Sequence, residues 1–97
     1  MMMELKPYDS RKSFYGKARV ENDGDICVCY SYHTPVAAFT HGMMFRLWGG
    51  YSATTQRHLN AFAVYCGMRG VQGKAAWDNM AVVPMEMVRL YARHKAA

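Results

Sequence analysis

Hydrophobic and polar positions change rhythm near the middle of the chain: they alternate before Gly49 and recur every three or four residues after Tyr51. In "SFYGKARVE", Phe14, Gly16, Ala18 and Val20 fall on one side, and Tyr15, Lys17 and Arg19 on the other. That is the period of a half-buried strand. "NDGD" (22–25) signals a hairpin, because Gly24 can take the positive φ such turns need. "ICVCYSY" reads as the next strand. Thr34-Pro35 then forces a bulge or bend, since Pro35 has no N–H to give a ladder. "VAAFT" continues the extended path, "HG" turns it and "MMFRLWG" forms the last strand. An antiparallel meander of three long strands is expected, or four if the break at Pro35 is complete.

Gly49-Gly50 ends the sheet. A helix begins near Ser52 or Thr54, both good N-caps, and stops at Gly67 or Gly70. On a helical wheel Thr55, Leu59, Phe62, Ala63 and Cys66 share the face that should pack on the sheet. Thr54, Arg57, His58, Ala61 and Tyr65 form a stripe on the other, outward or lateral, side. "KAAWDNMAV" predicts a short helix or turn anchored by Trp77. Pro84 suits the first position of a final helix, in which Met87, Val88, Leu90 and Tyr91 pack inward. Arg89, Arg93, His94 and Lys95 lie toward its end, where cations suit the helix dipole. The fold class is therefore α+β: a three- to four-stranded antiparallel meander packed against one main helix, with a helical C-terminal segment. Residues 1–97 form a single domain.

Composition narrows the classes. The chain has 97 residues, 52% of them hydrophobic, which suits a globular domain rather than a disordered one. The opening "MMMELKPYDS" lacks the basic start and apolar run of a signal peptide. Three cysteines (Cys27, Cys29, Cys66) are an odd number, so free thiols in a reducing cytosol fit better than a disulfide framework. Residues 26–45 carry no Lys, Arg, Asp or Glu. His33, Pro35, His41 and Gly42 interrupt them, however, and a membrane span is not expected. The net charge is +5, and from Tyr51 onward six basic residues face only Asp78 and Glu86. A basic half suits a nucleic acid, an acidic protein surface or a nucleoprotein complex.

The polar stripe carries the most chemistry. An arginine beside free N–H groups and threonine hydroxyls suits a phosphate or carboxylate, and Thr, Gln, Arg and Asn read base edges from a helix. The plainer reading has Ser52 or Thr54 capping the helix and His58 filling a gap against the sheet. The candidate binding residues are Thr54, Arg57, His58, Tyr65, Arg69, Arg89 and Arg93. Cys27-x-Cys29 lacks a zinc spacing, so no metal or other cofactor is expected. Motifs of phosphate loops, nucleophile elbows or zinc proteases are missing. Cys66 and His58 stand about 12 Å apart along one helix, too far for a nucleophile and its base. No enzyme is expected.

"YSYHTPVA" (30–37) followed by "LWGGYSATTQRHLNAF" (47–62) resembles a small family of phages, prophages and gut-type bacterial genomes, catalogued as a domain of unknown function. The resemblance covers roughly residues 8–66 and implies a mobile-element setting and a compact sheet-plus-helix domain. It implies no catalytic residues, and the segment from Gly67 on departs from its pattern. The expectation is a cytoplasmic, non-enzymatic accessory protein that binds and inhibits a host nucleic-acid-handling complex, in the manner of an anti-CRISPR inhibitor. Its partner would be a host protein or nucleoprotein complex. The alternative is a small DNA- or RNA-binding protein using the Thr54-Arg57-His58 face. A homodimer through a strand edge or a Met-rich face stays open.

Overall fold

A computed structural model describes residues 2–5, 17–68 and 73–97. Five strands, β1 (Met2–Glu4), β2 (Ala18–Asp23), β3 (Ile26–Ser31), β4 (Thr34–Thr40) and β5 (Met43–Arg46), form one antiparallel sheet in chain order. Three helices follow: α1 (Ala53–Tyr65), α2 (Lys74–Asp78) and α3 (Met85–Ala96). The α+β meander is as expected, with more strands than the pattern indicated. Phe14, Tyr15 and Gly16 of the predicted first strand lie outside the described residues, as does Arg69.

Each turn shows why the strands end where they do. Gly24 takes φ +60° between β2 and β3, and His41-Gly42 takes +46° and +78° between β4 and β5. The turn between β3 and β4 is the unexpected one. Ser31 pairs with Thr34, so the chain reverses at Tyr32-His33, with Tyr32 at φ +59°. The bulge or bend expected at Thr34-Pro35 is present, with Pro35 inside β4 opposite Tyr30 and the full break at Tyr32-His33 instead. The register shifts between Cys29 and Tyr30, leaving Val36 as the extra residue.

The sheet is buried on both faces because β3 and β4 are apolar in both phases of the alternation. Val20, Cys29 and Ala37 face one core with Leu59, Phe62 and Trp77. Val28 and Ala38 face a second with Val88 and Ala92. So α1 and α2 pack on one side and α3 on the other. Burying each large side chain contributes about 1.5–3 kcal/mol.

The ends of α1 are set by side chain and backbone together. Ser52 Oγ accepts from the Thr55 N–H at 3.0 Å, a standard N-cap. At the other end Gly67 takes φ +74°. Its N–H bonds Val64 O at 3.0 Å and the Met68 N–H bonds Ala63 O at 2.8 Å, the two bonds of a Schellman stop.

One buried cation ties α2 to the sheet. Arg46, 8% exposed, ends β5 on the α1 side. Its guanidinium donates to Trp48 O (2.9 Å), Gly49 O (2.9 Å) and Trp77 O (3.1 Å), with longer bonds to Met80 O and Gly50 O. It also lies 4.6 Å from the Trp77 ring centroid. Backbone carbonyls thus replace the carboxylate partner that a buried arginine usually has.

Candidate functional site

The polar start of α1 is largely an internal network. Ser52 Oγ donates to Thr55 Oγ1 (2.9 Å), which lies 3.3 Å from Ser31 Oγ, which in turn lies 2.8 Å from His58 Nδ1. A His58 tautomer protonated at Nε2 leaves Nδ1 to accept from the Ser31 hydroxyl. His58 is 1% exposed. Burial, helped by the positive charge of Arg57, pushes its pKa down to about 4. The ring is therefore a neutral core group at neutral pH, which corrects its expected place on an outward or lateral stripe.

Ala61 also turns inward, and Gln56 is buried while donating to Asn60 Oδ1 at 3.0 Å. The helix buries a wider arc than its apolar residues alone require, because Ser31 on β3 receives Thr55 and His58. Of the stripe, Thr54 and Tyr65 are exposed and Arg57 is half-buried.

On α3 the expectation is corrected in the other direction. Val88 and Ala92 are buried and Tyr91 is half-buried, but Met87 (55%) and Leu90 (58%) stand in solvent. Tyr91 packs edge-on to Phe45 with centroids 5.2 Å apart, and that contact fixes which side of the helix faces the sheet. Leu90 and Arg93 are three residues apart, as are Met87 and Leu90, so they adjoin on the solvent side. Arg89, Arg93, His94 and Lys95 are exposed as well. The candidate residues consequently fall into two groups. Thr54, Arg57 and Tyr65 are carried by the helix on one face of the sheet, and Arg89 and Arg93 by the helix on the other. No single surface gathers them.

Cys27, Cys29 and Cys66 are free thiols in the α1-side core. Burial raises the pKa of all three, Cys66 to about 12, so they are protonated packing groups. Among the described residues no three His, Cys, Asp or Glu side chains are placed to hold a metal ion. Nor, among them, is any helix long and apolar enough to cross a membrane.

Two residues stand out: Arg46, which the sequence did not single out, and Tyr32, known only as part of the motif in residues 30–37. Arg46 had a signal, since alternation from Met44 put it on an inward position. Tyr32 had none, because nothing in "YSYHT" announces a positive φ.

Fold and surfaces define a small α+β domain whose sheet is covered on both sides. The chain belongs to a family of unknown function, DUF8033, whose model matches residues 3–79. The two motifs read in residues 30–37 and 47–62 fall inside that match. The matched segment takes in the sheet, α1 and α2 and ends before α3. No curated protein and no solved structure matches the chain at a significant level.

Proposed function

We propose that the protein is a small non-enzymatic accessory protein of a phage or mobile element that docks on, and inhibits, a host nucleic-acid-handling complex, with α3 as the docking element. The observation that carries this reading is the outward side of α3. Met87 and Leu90 are more than half exposed there, beside Arg89 and Arg93. Exposed Met and Leu offer an adaptable apolar contact, and arginine is enriched at the energetic centres of interfaces. Against Arg89, Arg93 and Lys95 the helix sets only Glu86, so the complementary surface is acidic. The position of α3 beyond the family match suits an element that selects a partner.

The test is an infection or transformation assay in bacterial strains that each carry one nucleic-acid-targeting defence system. Expression of the wild type should relieve one system by about tenfold or more, and Leu90→Asp with Arg93→Glu should abolish the relief. Circular dichroism should show the double variant as folded as the wild type, since both positions are exposed. Relief of no system, or full activity of the variant, would overturn the reading.

A second reading, direct nucleic-acid binding, draws on the β3–β4 turn, since His58 of the helix face is buried. Tyr32 is 47% exposed and adopts a left-handed backbone that costs a bulky residue about 1–2 kcal/mol. Its N–H donates to Lys17 O and its carbonyl accepts from Arg19, both at 2.6 Å. The Lys17 ammonium lies 5.5 Å from its ring. A strained, exposed ring beside two cations suits stacking on an unpaired base. Fluorescence anisotropy of labelled single strands, at two salt concentrations, separates the readings. Salt-sensitive binding lost in Tyr32→Ala supports this one, and no binding at low salt removes it.

A further inference from the structure

On the α3 side of the sheet, helix and strands leave a groove of about 190 Å³ between β2, β3 and the start of α3. Its floor is apolar, from Val28, Leu47 and Val83, while Glu21, Asp23, Tyr30 and Arg89 line its rim. Register explains the grouping. Glu21 pairs with Val28 and Arg19 with Tyr30, so Glu21 and Tyr30 are diagonal neighbours on one face.

The rim is organised before any ligand arrives. Burial first, and then the neighbouring Glu21 carboxylate, raise the Tyr30 pKa against the opposing pull of Arg19 and Arg89. Tyr30 therefore stays a neutral phenol beside the Glu21 carboxylate. In a chain of net charge +5, two carboxylates gathered at one groove make an acidic spot in a basic protein. Arg89, on α3, supplies the opposite charge from the facing wall.

This is a bipolar rim over an apolar floor. A neutral apolar ligand would use the floor and make no use of the rim's three charges. A simple cation would leave Arg89 unused, and a simple anion would meet Glu21 and Asp23. The volume is below the roughly 300–1,000 Å³ of drug-sized pockets, which favours a ligand smaller than a drug molecule.

We propose that the groove binds an apolar α-amino acid as its zwitterion. The ammonium group sits on Glu21 and Asp23, the carboxylate on the Arg89 guanidinium, and the side chain on Val28, Leu47 and Val83. Arginine suits its part because its planar fork accepts a carboxylate through two parallel bonds. This site stands apart from the docking reading, which uses the outward side of α3; Arg89 alone contributes to both.

The experiment is a titration of the full chain with leucine, methionine and phenylalanine, followed by amide NMR shifts and calorimetry. At least one of the three should give saturable shifts at the groove. Its amide, which lacks the carboxylate, and its N-acetyl form, which lacks the ammonium, should each bind about tenfold more weakly, a loss of about 1.4 kcal/mol. Arg89→Ala should bring the amino acid and its amide to equal affinity. Glu21→Gln should weaken the amino acid and its amide while leaving the N-acetyl form unchanged. Both positions are on the rim, so the fold should survive, and the spectra report it directly. Leu90→Asp, which disables docking, should leave this binding untouched. No saturable shift from any of the three up to about 10 mM, or equal binding of amino acid, amide and N-acetyl form, would overturn the proposal.

Discussion

Arg46→Met removes a buried charge while keeping most of the side chain's apolar length. Replacing buried ion pairs by apolar groups is often neutral, because both charged partners disappear together. That escape is closed here, since the partners are main-chain carbonyls of Trp48, Gly49 and Trp77. They remain when the guanidinium goes. Hydrogen bonds from a charged donor are each worth about 1.5–3 kcal/mol, and an orphaned acceptor costs about 1–3. Three bonds taken naively would give about 5–9 kcal/mol, but Gly49 is exposed, so water can reach its carbonyl, and Gly50 O keeps the Trp77 Nε1–H as a partner. A net loss of about 3–5 kcal/mol follows, a large share of the roughly 5–15 kcal/mol of a typical domain.

Thermal and urea unfolding, followed by circular dichroism and by tryptophan emission, measure it. For a domain of this size the midpoint should fall by roughly 12 °C or more, at about 4–8 °C per kcal/mol. Arg46→Lys should fall between the two, since one ammonium cannot reach carbonyls on both segments. Tryptophan emission should shift in the native baseline as well, because the Trp77 ring loses the stacked cation. A destabilisation of Arg46→Met below about 1 kcal/mol would refute the reasoning. The carbonyls would then be satisfied without the arginine.

Other perturbations are equally specific. The folded pKa of His58 is about 4, against about 6.5 for the unfolded side chain. Only the unfolded chain takes up that proton as pH falls through this window, so stability should be full above about pH 7 and decline below it. Between pH 7 and 5, above most carboxylate titration, the loss should be about 2 kcal/mol and should vanish in His58→Gln; an unchanged slope in that variant would contradict the assignment. An added Cβ at Gly50 would run into the Trp48 ring, so Gly50→Ala should cost about 1–3 kcal/mol in urea unfolding. Leu90→Asp should change stability by under about 0.5 kcal/mol while Val88→Asp, in the second core, should cost more than about 4. Equal effects of the two would mean that α3 is rotated from the orientation described.

Much of the fold was legible because local chemistry and tertiary packing agreed. The turns at Gly24 and at His41-Gly42, the Ser52 cap, the Gly67 stop and the Trp77 anchor each have a residue suited to the job. The β3–β4 turn was hidden because Tyr32 adopts a left-handed backbone only under tertiary restraint by Lys17 and Arg19. Helical period could not orient α3, for Met87 and Leu90 are as apolar as Val88. Only the partial cover of the sheet decides which of them face it. The stripe on α1 misled for a related reason: periodicity sorts residues by polarity, whereas Ser31 and Thr55 make the core polar enough at that point to take an imidazole. Arg46 shows the same limit, since its partners are carbonyls and carry no side-chain signature.

After α2 the chain crosses from one side of the sheet to the other along its β5 edge. Val82 bridges to Arg46 in parallel, and the Val83 N–H donates to Arg46 O at 2.9 Å. Pro84 follows, with no hydrogen to offer a further strand. The crossing thereby covers the Arg46 end of that margin with the protein's own backbone. A second chain pairing with β5 would therefore find the Arg46 end of that strand already taken, and could add only along Met43–Phe45.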